Sequence, residues 1–121
     1  MHIEIAIDIN DPQLMIPFYM NLLGYRPNDV DNERYGKDQI YYSCIDPSGK
    51  GPQIIFQVVP EKTSTKSRIH LDFHVPNVEK STNEAVQLGA TQIDSEPIYE
   101  AGTHWIRLAD PEGNIFCIVH Q

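Results

Sequence analysis

Two stretches of this chain, 66 residues apart, carry the same alternation, and that duplication restricts the fold more than any other feature. Ile3, Ile5, Ile7 and Ile9 occupy one parity, with Glu4, Ala6 and Asp8 on the other. A period of two predicts a strand whose isoleucine face is packed. Leu71, Phe73 and Val75 against His70, Asp72 and His74 repeat the pattern. A helix cap follows each strand: Asp11 before Pro12 in the first half, Asn77 in the second. Leu14, Met15, Phe18, Tyr19, Leu22 and Leu23 then recur at helical spacing up to Gly24, and Val78, Ala85, Val86 and Leu88 up to Gly89. Asp46-Pro47-Ser48-Gly49 and Asp110-Pro111-Glu112-Gly113 are turn tetrapeptides at an offset of 64, each leading into a last strand.

Each half therefore reads strand, helix, then three strands. The later strands are Tyr25-Arg26, 39–45 and 53–59 in the first half, and 91–94, 105–109 and 114–119 in the second. The fold class is α+β: two tandem βαβββ modules, 1–59 and 69–121, in one domain of 121 residues. A polar linker, 60–68, joins them, with Lys62, Lys66 and Arg68 solvated. Residues 28–38 read as a second polar loop, a lid or irregular surface.

Charge narrows the partners. Nine Lys+Arg against 17 Asp+Glu give a net charge of −8, which repels polyphosphate and argues against nucleic acid. No apolar run approaches the ~20 residues that span a bilayer, so no membrane partner is expected. The opening Met1-His2-Ile3-Glu4 lacks the basic and apolar regions of an export signal, which predicts a cytoplasmic location. In that setting Cys44 and Cys117 read as reduced core thiols rather than a disulfide. A small molecule or a protein is left as the partner.

Parity also locates the chemistry. If the isoleucine and Leu71/Phe73/Val75 faces pack under helices, then Glu4, Asp8, His70, Asp72 and His74 share the opposite side. The last strand of each half adds Gln53, Ile55 and Gln57, and Ile115, Cys117 and Val119. Such a polar cluster is costly unless paired, solvated or metal-bound. His70, Asp72 and His74 stand about 7 Å apart per step on one face. A carboxylate among imidazoles orients one of them as a general base, or forms a structural hydrogen-bond network. Before the second turn, parity sends either Trp105 and Arg107 or His104 and Ile106 to this side. Trp105 would stack a ring, and Arg107 would anchor a carboxylate.

The punctuation resembles the vicinal oxygen chelate superfamily, the glyoxalase/bleomycin-resistance/extradiol-dioxygenase group. The residues that carry the likeness are Asp11-Pro12, Phe18-Tyr19 and Leu23-Gly24, then Ile69-His70-Leu71-Asp72, Leu88-Gly89-Ala90 and Ala109-Asp110-Pro111-Glu112-Gly113-Asn114. Phe56-Gln57-Val58-Val59-Pro60-Glu61 and Phe116-Cys117 are similar to the small glyoxalase-like domains. The resemblance implies a half-open curved sheet or barrel with helices outside, a ligand cavity on its concave face, and a homodimer.

It also implies a divalent-metal site built from the first and fourth strands of each module, which carries over to Glu4, Gln57, His70 and Cys117. Oxygen, amide, imidazole and thiol donors match neither a hard site, a zinc site nor an iron triad cleanly, so a metal stays an open alternative. Cys117 stands where isomerase-type members carry a glutamate that binds metal and moves the substrate proton. The implied function is binding of a small organic molecule. As an enzyme the protein would be lyase- or isomerase-type, or dioxygenase-like, with His70, Glu4, Asp72 and His74 in catalysis and Gln57, Trp105 and Arg107 on the ligand. The alternatives are a metal-free, antibiotic-resistance-like sequestering protein and a regulatory module that kept the fold and lost the site.

Overall fold

Backbone pairing follows the duplication. In the structure, a computed structural model describing residues 1–36 and 40–121, the chain divides into two compact units, Met1–Lys62 and Thr63–Gln121. The first holds β1 (Glu4–Ile9), α1 (Pro12–Leu23), β2 (Arg26–Pro27), α2 (Asp29–Tyr35), β3 (Tyr41–Ile45) and β4 (Gln53–Val58). The second holds β5 (Leu71–Val75), α3 (Val78–Leu88), β6 (Thr91–Gln92), β7 (Ile98–Glu100), β8 (Thr103–Ala109) and β9 (Ile115–His120). The class is α+β with two open sheets, ordered β1-β4-β3-β2 and β5-β9-β8-β6, and β7 added on β8. In each sheet the first and last strands pair in parallel, β1 with β4 and β5 with β9, and the remaining pairs are antiparallel.

The capping residues act as their chemistry dictates. Asp11 accepts from the Gln13 N–H at 3.0 Å, Asn77 from the Lys80 N–H at 3.0 Å, and Gly24 ends α1 at φ +69°. α1 buries Met15, Phe18 and Tyr19 at helical spacing, and Tyr19 packs on Phe56 with ring centroids 5.9 Å apart. α3 turns Val78, Thr82 and Ala85 inward. In its sheet Phe73 meets Phe116 at 5.5 Å, beside buried Ile106, Leu108 and Ile118. Both turn aspartates accept from the backbone: Asp46 from Ser48 and Gly51 N–H, each at 2.8 Å, and Asp110 from Glu112 and Asn114 N–H at 3.0 and 2.9 Å.

Four expectations need correction. Ile3 precedes β1 and is 67% exposed, so the packed isoleucine face is Ile5, Ile7 and Ile9. Val86 and Leu88 lie on the exposed side of α3. Most of the expected loop 28–38 is α2: Asn28 caps it, accepting from Asp31 N–H at 3.3 Å, and the Asn32 side chain ties it to the Ser43 backbone, its Nδ2 donating to the carbonyl and its Oδ1 accepting from the N–H. The second unit has a strand more than expected, because Ala101 and Gly102 at φ +51° and +75° turn β7 into β8 as a two-residue hairpin. The remainder of that loop, Lys37 and Asp38, and the first residue of the expected third strand, Gln39, lie outside the described residues.

Candidate functional site

The polar side of the second sheet is assembled by register. Asp72 on β5 lies opposite Cys117 on β9, which lies opposite Arg107 on β8. His70, two residues before Asp72, turns to the same side, and its Nδ1 lies 2.9 Å from Asp72 Oδ1. A carboxylate only accepts, so Nδ1 carries the donated proton, and in the neutral imidazole Nε2 is then the nitrogen with the lone pair. The Cys117 thiol lies within 4.8 Å of the same carboxylate. Burial first, and then the neighbouring Asp72 carboxylate, push the thiol up to about 11, so it is protonated at neutral pH.

Arg107 is held beside this row by Asp94. Its backbone N–H and Nε each donate to Oδ2 at 3.0 Å, and Nη2 donates to Oδ1 at 2.7 Å. The guanidinium's hydrogen bond keeps the Asp94 carboxyl below its ordinary value. Asp94 was not legible as a site residue, because this pairing across 13 residues exists only once β6 and β8 are in register.

The other expected residues distribute as follows. Parity between Trp105/Arg107 and His104/Ile106 resolves to the first pair: Trp105 faces Val119 in the Cys117 row, while Ile106 pairs with Ile118 on the helix side. His74 is exposed opposite Val119, one step beyond Asp72. Glu4 and Gln57 belong to the first unit, at opposite ends of one strand pair: Glu4 faces Gln53 and Gln57 faces Asp8. At the rise of a strand that separates them by about 13 Å along the chain direction. Aligning Ile5 with Leu71 makes Ile55, not Gln57, the register counterpart of Cys117.

One nitrogen of His70, a carboxylate oxygen of Asp72 and Cys117 Sγ all lie within 4.8 Å of one another. Three protein donors of nitrogen, oxygen and sulfur suit a borderline-soft ion such as zinc, whose reactive sites keep three ligands and an open position; they suit magnesium or calcium poorly. Binding would have to displace the thiol proton and the His70–Asp72 hydrogen bond.

The glyoxalase-like domain family model matches residues 4–119. Among solved structures, a glyoxalase/bleomycin resistance protein/dioxygenase family enzyme from Burkholderia phytofirmans superposes with a TM-score of 0.78 at 22% identity, over 97% of this chain and 95% of that one. A superfamily member from Sphaerobacter thermophilus gives 0.71 at 18%, covering 100% and 97%. A fosfomycin resistance protein from Mesorhizobium loti gives 0.71 at 12%, covering 98% and 90%. At those identities the likeness is one of fold. No curated protein matches the chain. Duplicated sheets, paired Asx turns and a family match along nearly the whole length converge: the chain belongs to the glyoxalase-like domain family of the vicinal oxygen chelate superfamily.

Proposed function

We propose that this protein binds a small organic molecule on the polar side of its second sheet and that His70 exchanges a proton with it, as a lyase or isomerase requires. The observation that carries this reading is the 2.9 Å contact between His70 Nδ1 and Asp72 Oδ1. It fixes the tautomer that leaves Nε2 as the base, on a side chain exposed enough to meet a ligand. Cys117 stands beside Asp72 in the register, Arg107 is kept in place by Asp94, and Trp105 supplies a ring face in the same row.

Should a divalent ion bind, His70, Asp72 and Cys117 would hold it, and it would supply polarisation of a ligand oxygen. A second reading is sequestration without reaction. It draws on the pairing within the row, where Asp72 holds His70 while Asp94 holds Arg107.

The test is a melting screen of EDTA-treated protein against small carbonyl compounds, epoxides and aromatic cations, with and without zinc. A binder at about 100 times its dissociation constant adds about 2.7 kcal/mol of stability. Consumption of the binder that disappears in His70→Ala supports proton transfer. Stabilisation without consumption supports sequestration. A screen in which no compound shifts the melting point overturns both.

A further inference from the structure

The helix-covered side of the second sheet contains a groove of about 630 Å³, formed entirely within the second unit between the start of α3 and the β7–β8 hairpin. It lies on the opposite side of β8 from Trp105 and Arg107, and so apart from the His70 row. Three stacked rings line it: Tyr99 on His104 at 5.0 Å, and His104 on His120 at 4.8 Å. Thr82 contributes from α3; the residue is 2% exposed, and its hydroxyl oxygen has no hydrogen-bond partner. A buried hydroxyl left unpaired is costly, which makes it a ready acceptor for a ligand donor. Glu79 and Glu96 also line the groove, and among the described residues no lysine or arginine does.

We propose that this groove is a second ligand site, selective for a planar aromatic cation. The Tyr99–His104–His120 stack offers ring faces for offset stacking and for cation–π attraction. The two carboxylates complement a positive charge and oppose an anion. Thr82 Oγ1 accepts a hydrogen bond from an N–H of the ligand. The volume falls within the range of about 300–1,000 Å³ typical of small-molecule sites.

The experiment titrates the 15N-labelled full chain with benzamidine, which combines a flat ring, a cation and N–H donors, against neutral benzamide and anionic benzoate. Benzamidine is expected to give saturable amide shifts in residues 77–83, 98–104 and 120. Benzamide should bind about tenfold more weakly, and benzoate not at all. Tyr99→Ala should weaken benzamidine about fivefold. Thr82→Val, which swaps the hydroxyl for a methyl group and preserves packing, should weaken it about threefold. The proposal is overturned by benzoate binding as well as benzamidine, by shifts confined to the neighbourhood of His70, or by no saturable shift up to about 10 mM.

Discussion

The two modules share strands, caps and turns, yet they place different chemistry at equivalent positions. Where β5 and β9 bring Asp72 beside Cys117, β1 and β4 bring Ala6 beside Ile55. The ionisable groups of the first module stand two residues to either side, Glu4 opposite Gln53 and Asp8 opposite Gln57. Duplication thus fixes the scaffold through its apolar parity and leaves the other parity free to diverge. The second copy has gathered imidazole, carboxylate and thiol within 4.8 Å of one another.

The largest test of equivalence lies in the cores. Phe56 and Phe116 are 0% and 1% exposed, and truncating either to alanine should cost about 3–5 kcal/mol in denaturant unfolding. Equal losses would confirm scaffolds of equal weight, and a large inequality would break the comparison. Next come the thiols. Cys44 and Cys117 are both pushed up to about 11 from 9.0, chiefly by burial, so native alkylation near pH 8 should run about a hundredfold slower than for an ordinary thiol. Mass spectrometry of each site checks this, and added zinc should change the reactivity of Cys117 alone. Asp11→Ala and Asn77→Ala, one cap from each module, should each cost about 1 kcal/mol.

The smallest effect is on acid stability. Asp46 and Asp94 both have depressed carboxyl pKa values, the first through hydrogen bonds from Ser48 and Gly51, the second through Arg107. Each contribution is present above the ordinary carboxyl value of 3.8 and is lost as pH falls through the lower native value. Added salt should weaken the Asp94 part, because it is an ion pair at the surface, and spare the Asp46 part. Unfolding of Asp46→Asn and Asp94→Asn across that range, at low and high salt, separates the two.

The fold was legible wherever a strand had one buried face and a helix had a side-chain cap. α2 escaped because it fully buries none of its residues, so it shows no apolar period and its cap at Asn28 reads as loop chemistry. β7 escaped because its three residues pair through a turn that sets Ala101 at positive φ, where glycine is the usual signal. In the site, His70 and Asp72 were legible from their i, i+2 spacing, whereas Cys117 was placed on that side by parity and drew a ligand role only by family likeness. That it shares a row with Asp72 and Arg107 depends on register, which alternation alone leaves open by steps of two.

The central claim is that Asp72 orients His70 for proton exchange, and long-range 1H–15N correlation of the imidazoles in EDTA-treated protein tests it most directly. At a pH where His70 is neutral, the account predicts a proton on Nδ1 and a bare Nε2, with that preference lost in Asp72→Asn. A proton on Nε2 in the native protein, or a spectrum unchanged by Asp72→Asn, would contradict it.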